Sequence, residues 1–118
     1  MSQDAVISLN IDNGLAQVLL KRPSQYNSFS KELRHQLARM LSQIEGDQSV
    51  RAVIIRGDGP GFCAGADLTE PPGSPLPDQL QNEYKPIFEQ VVNGKKLYIA
   101  AVHGSAAGIG AALALACD

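Results

Sequence analysis

Two stretches rich in glycine and alanine are the parts of this sequence best suited to chemistry: Gly61-Phe62-Cys63-Ala64-Gly65-Ala66-Asp67-Leu68 and His103-Gly104-Ser105-Ala106-Ala107-Gly108-Ile109-Gly110. Neither is dense in ionisable groups. What they offer is main chain, because small side chains let a ligand come close, and N–H groups at a helix N-terminus favour developing negative charge. Two such stretches side by side can form an oxyanion hole, where loss of one donor typically costs roughly 10²- to 10³-fold in rate. The same glycines serve equally for tight turns and close helix–sheet packing, and composition alone leaves both readings open.

Other chemistries fail on spacing. No Gly-x-x-x-x-Gly-Lys-Ser/Thr is present, and Gly104, Gly108 and Gly110 miss the dinucleotide fingerprint. Ser105 lacks the Gly-x-Ser-x-Gly frame of a nucleophile elbow. Cys63 and Cys117 show no metal-ligand spacing and read as reduced thiols, so no metal is expected. His103 has a ring that can act as a base near neutral pH, but packing at a strand end is the simpler reading. Glu70 precedes Pro71 and Pro72 and reads as a solvated surface carboxylate, and Cys63, with no cation nearby in sequence, as a small packing residue.

The elements that must position these loops follow from hydrophobic periodicity. Val6 to Asn10 and Leu15 to Lys21 are strand-like runs joined through Asn13-Gly14, a strong hairpin signal. Pro23 breaks the second run. Ser30 can cap a helix carrying Leu33, Leu37, Met40, Leu41 and Ile44 at helical spacing, ending at Gly46. Val50 to Arg56 predicts a strand buried on both faces, and Gly57 to Gly61 end it. The proline-rich run from Pro71 to Pro77 predicts an exposed, mobile loop. Gln79 to Val92 predicts a helix kinked near Pro86, Leu97 to Val102 another buried strand, and Gly110 to Cys117 a tightly packed helix. Strand–helix–strand order with long crossovers implies parallel pairing and an α/β class, with ligands beyond the carboxyl ends of the strands. Both glycine-rich loops leave such ends.

The whole chain, 118 residues of which 44% are hydrophobic, suffices for one domain spanning residues 1–118. Its 10 basic and 12 acidic residues, a formal charge of -2, argue against a nucleic-acid partner. No secretory leader and no membrane-length apolar run are visible, so no membrane association and a cytoplasmic location are expected.

The collinear order of Arg22-Pro23-x-x-x-Asn27-Ser28, Val50 to Gly57, Phe62 to Leu68, and Ile99 to Asp118 resembles the enoyl-CoA hydratase/isomerase (crotonase) family. The resemblance implies a ββα-repeat spiral that binds an acyl-CoA thioester and stabilises its enolate, with coenzyme A part of the substrate and no separate cofactor. It implies that the amides of Ala66 and Ile109 form the oxyanion hole. Asn27, Ser28, Ala64, Gly65, Asp67, Leu68 and Gly108 would border the substrate, Asp67 chiefly by ordering its own loop. Hydratases of the family use two glutamates: the first position is occupied by Ala112, and the second lies in a segment beyond Asp118. The sequence thus reads as an N-terminal portion, truncated before the C-terminal helical segment through which the family forms trimers or hexamers. Single-acid isomerases dispense with the first glutamate. Two other readings are an acyl-CoA-binding fragment without catalysis and a chain that does not fold productively alone.

Overall fold

The computed structural model describes residues 5–70 and 73–118. Met-Ser-Gln-Asp at the start and Pro71-Pro72 at the front of the predicted loop lie outside the described residues.

The chain opens with strands β1 (Ile7–Asp12) and β2 (Leu15–Leu20), paired antiparallel from Ile7↔Leu20 to Asp12↔Leu15. Asn13 (φ 51) and Gly14 (φ 81) both take the left-handed conformation that a type I′ hairpin turn requires. A short 3₁₀ turn, Pro23–Gln25, follows, and then helix α1 (Lys31–Glu45). Ser30 caps α1, its Oγ accepting from the Leu33 N–H at 3.1 Å. The helix buries Leu33, Leu37, Leu41 and Ile44, each contributing roughly 1.5–3 kcal/mol on transfer from water. Strand β3 (Ala52–Gly57) runs parallel to β2, and β4 (Leu97–Ala101) runs parallel to β3, giving the sheet order β1-β2-β3-β4. The α/β class and the parallel pairing are thus as expected.

Between β3 and β4 lie helix α2 (Leu76–Gln79), a π-helical turn (Leu80–Tyr84) and helix α3 (Lys85–Asn93). Two expectations change here. The proline-rich run does not stay a loop to Pro77: Pro75 stands at the N-cap and Pro77 in the first turn, where a missing N–H is no loss. The helix does not simply kink at Pro86. It widens into the π turn just before it, the kind of adjustment made where proline removes a helical donor. Helix α4 (Ile109–Ala116) closes the described chain.

The core lies on one face of the sheet, where Val18, Leu20, Val53, Ile55 and Tyr98 pack against α1 and α3. The expectation that β3 and β4 are buried on both faces is overturned. On the reverse face Ile54 is half-buried and Arg56 exposed, while Leu97 and Ile99 retain 51% and 40% of their accessible surface. An apolar run does not say how many faces are covered. At the outer edge of β4 the Tyr98 N–H donates to Asp118 Oδ2 (2.9 Å), and Tyr98 O accepts from the Asp118 N–H (2.7 Å).

Candidate functional site

The loop after β3 is held between two other segments. On one side Phe29 and Ala66 form a parallel bridge, with the Phe29 N–H donating to Gly65 O (2.6 Å) and the Asp67 N–H to Phe29 O (3.0 Å). On the other side Cys63 bridges Ala106: the Phe62 and Cys63 N–H groups share Ser105 O (3.0 and 3.1 Å), and the Ala107 N–H donates to Cys63 O (3.1 Å). The Ala64 N–H donates to Tyr26 O at 3.0 Å. These bonds bring the two glycine-rich loops side by side at the carboxyl ends of β3 and β4.

Closeness at the junction depends on glycine. A Cβ on Gly65 (φ 101) would stand 3.0 Å from Ala107 O and 3.8 Å from Gly108 Cα, and one on Gly110 would stand 2.2 Å from Cys63 O. Gly108, at φ 54 and ψ -127, turns the chain into α4 in a conformation that L side chains avoid. Within the first loop the N–H groups of Phe62, Cys63, Ala64 and Asp67 donate to carbonyls. Among the described residues the N–H groups of Gly61, Gly65, Ala66 and Leu68 in this loop have no carbonyl acceptor, nor has that of Ile109 at the start of α4.

The side chains around the loops are largely committed to structure. Asn27 is fully buried in a left-handed conformation (φ 56), where its Oδ1 accepts from the Arg22 N–H (2.7 Å) and its Nδ2 donates to Asp58 O and Gly61 O (3.0 and 2.9 Å). Ser28 is buried, its Oγ accepting from Arg22 Nη1 at 3.2 Å. Asp67 accepts from the Thr69 N–H and hydroxyl (2.9 and 2.6 Å) and pairs with Arg22 Nη2 at 3.0 Å. The Thr69 hydrogen bonds, with Arg22 adding to them against the effect of burial, hold its carboxyl below the usual carboxylate range. His103 is exposed, its Nε2 lying 2.7 Å from Gly59 O. Burial pushes the Cys63 thiol up to about 11, which removes it as a nucleophile near neutral pH.

An open cleft of about 680 Å³ adjoins Ala66. Leu68, 93% exposed, and Leu76 stand on its apolar side, while Arg34, Glu83, Lys31 and Glu70 also line it. Glu70 is more than a solvated carboxylate, since its Oε1 accepts from the Lys31 N–H at the start of α1 (2.9 Å). Arg34 is the residue that sequence reasoning passed over. It is 6% exposed, its Nε donating to Glu83 (2.9 Å) and its Nη1 to Phe29 O and the Tyr84 hydroxyl (3.2 and 3.1 Å). A charged residue next to Leu33, one turn from Leu37 on the buried stripe of α1, was the available signal.

A family model described as Enoyl-CoA hydratase/isomerase matches residues 10–118. The chain belongs to the enoyl-CoA hydratase/isomerase family. It is 39% identical over 115 residues to 1,2-epoxyphenylacetyl-CoA isomerase of Escherichia coli K12, covering 92% of this chain and 44% of that protein. It is 32% identical over 124 residues to 4-chlorobenzoyl coenzyme A dehalogenase-2 of an Arthrobacter species, covering 99% of this chain and 45% of that one. Among solved structures, an enoyl-CoA hydratase from Mycobacterium avium subsp. paratuberculosis K-10 superposes with a TM-score of 0.86 at 28% identity, over 100% of this chain and 47% of that one. The fold is therefore crotonase-like, and the chain spans about half the length of such hydratase/isomerase relatives. No cluster of three or more potential metal ligands occurs among the described residues, and no helix there is long and apolar enough to cross a membrane.

Proposed function

We propose that this chain binds an acyl-CoA thioester, with the thioester oxygen between the N–H groups of Ala66 and Ile109 and the acyl group in the cleft beside Ala66. The observation that carries the reading is that two loops held together at Gly65 and Gly108 each present an N–H without an acceptor among the described residues, that of Ala66 beside the cleft and that of Ile109 at the start of α4. The names of the three similar proteins given above each include coenzyme A or its thioesters, yet describe isomerisation, dehalogenation and hydration. A shared thioester site served by different reacting groups accounts for that spread.

In this mechanism the two amides stabilise the negative charge that an enolate places on the thioester oxygen. Asn27, Ser28 and Asp67 act by holding the loops, while Ala64, Leu68 and Gly108 lie along the substrate. Ala112, exposed on the first turn of α4, carries no proton, so the proton-moving group stands elsewhere. Binding without turnover by this chain is the second reading, and Ala112 favours it.

The test exploits the position of Ile109 as the first residue of α4, where proline is tolerated. Ile109→Pro deletes the donor while keeping the helix start. Calorimetric titration with butanoyl-CoA and with its thioether analogue, which lacks the carbonyl, should show several-fold tighter binding of the thioester. That preference should vanish in Ile109→Pro. Equal affinity for both ligands in the unaltered chain would overturn the amide assignment, and no binding of either would overturn the acyl-CoA reading itself. An absorbance assay with an enoyl-CoA, run in parallel, separates turnover from binding alone.

A further inference from the structure

We infer that the cleft beside Ala66 selects acyl groups that carry a hydrogen-bond-accepting oxygen at their far end, recognised by Nη2 of Arg34. The inference rests on the acyl-CoA reading above and concerns what lies beyond the thioester.

A guanidinium has five N–H donors in a planar fork. Arg34 commits Nε to Glu83 and Nη1 to Phe29 O and the Tyr84 hydroxyl, and its plane also lies against the Tyr84 ring, with Cζ 5.0 Å from the ring centroid. No acceptor for Nη2 is found among the described residues. Nor is any buried side-chain nitrogen or oxygen left without a partner among them, so Nη2 reaches accessible surface. Arg34 is otherwise buried and lines the cleft that Ala66 also lines, which makes the cleft the accessible surface in question. The result is a fixed donor pair from a nearly buried cation, held by three partners so that it cannot swing away.

Such a group discriminates in two ways. An acyl tail ending in a hydroxyl, carbonyl or carboxylate oxygen accepts from Nη2. A plain alkyl tail that covers Nη2 strips it of water and gives nothing back, which a buried cationic donor tolerates badly. Glu83 already balances the Arg34 charge, and Asp67 is balanced by Arg22, so the cleft imposes no strong field against either a neutral or an anionic oxygen. What is shared by the candidate ligands is the terminal acceptor oxygen, and the distinction between a hydroxyl and a carboxylate falls to experiment.

The experiment is a calorimetric titration of the chain with hexanoyl-CoA, 6-hydroxyhexanoyl-CoA and adipoyl-CoA, repeated with the eight-carbon counterparts. At one of the two lengths the oxygen-ended ligands should bind on the order of tenfold or more tighter than the plain acyl-CoA. A gain for both oxygen types points to hydrogen bonding by Nη2, and a gain for the carboxylate alone to a paired charge. In Arg34→Lys, which keeps the charge and loses the fork, the ratio of oxygen-ended to plain affinity should collapse, with circular dichroism checking that the variant is folded. Should that variant fail to fold, the ligand series on the unaltered chain decides by itself. Equal affinities across the series with measurable hexanoyl-CoA binding would overturn this inference alone, as would a gain that persists in Arg34→Lys. Absence of binding by every ligand would overturn the acyl-CoA reading along with it.

Discussion

Asn27→Ala is the substitution whose consequences the structure fixes most tightly. The Asn27 amide makes three hydrogen bonds that join the end of β2, at Arg22, to the loop after β3, at Asp58 and Gly61. Alanine deletes all three. The Gly61 carbonyl lies in the buried part of this brace, where an orphaned acceptor costs roughly 1–3 kcal/mol, and the two part-buried bonds contribute about 0.5–1.5 kcal/mol each. Asparagine tolerates the φ of 56 at this position, whereas alanine there adds about 1–2 kcal/mol. The expected loss is about 3–8 kcal/mol, a large share of the roughly 5–15 kcal/mol that holds a domain together. Urea denaturation followed by circular dichroism measures it, since the chain has no tryptophan to report by fluorescence. Asn27→Gly separates the contributions: it loses the same bonds without the backbone penalty and should be about 1 kcal/mol more stable than the alanine variant. A loss below about 1 kcal/mol for alanine, or alanine equal to glycine, would refute the reasoning.

Two further perturbations probe the same region. Gly110→Ala places a methyl where Cys63 O stands 2.2 Å away, so α4 must retreat; a cost of about 1–3 kcal/mol is expected, with weaker butanoyl-CoA binding as the Ile109 N–H moves away from Ala66. An unchanged melting temperature would show that α4 does not press on Cys63. Asp67→Asn removes a carboxyl whose pKa in the folded chain lies below its unfolded value of about 3.9, so its contribution is complete above that value and is lost as pH falls through the lower folded pKa. The stability gap between the original chain and Asp67→Asn should be widest near pH 6 and close toward pH 2, and a gap constant across that range would contradict the Thr69 and Arg22 contacts.

What could be read in advance was local. The Asn13-Gly14 turn, the Ser30 cap and the spacing of Leu33, Leu37 and Leu41 each act within a few residues, and each is present as read. The loops of interest were visible because glycine and alanine cluster there. The burial of β3 was not legible, since Val53 and Ile55 face the core while Ile54 points to the other side, and an apolar run looks the same in either case. Arg34 escaped for a different reason: the carboxylate that lets it be buried, Glu83, is 49 residues away. Asn27 was read as bordering a ligand because of its place in a motif, and the three bonds that occupy its amide cross segments that no local pattern joins.

The outer margin of β4 bears on how any of these measurements must be run. Asp118 occupies the outward hydrogen-bonding groups of Tyr98, but Ala100, two residues on, presents its N–H and C=O on that same margin with no partner among the described residues. Beside it lie the uncovered side chains of Leu97 and Ile99. A strand margin of this kind is a template for another chain, so colloidal behaviour will depend steeply on protein concentration. Titrations at low micromolar protein, checked by sedimentation, will report on the acyl-CoA site; concentrated stocks will report on strand-to-strand association.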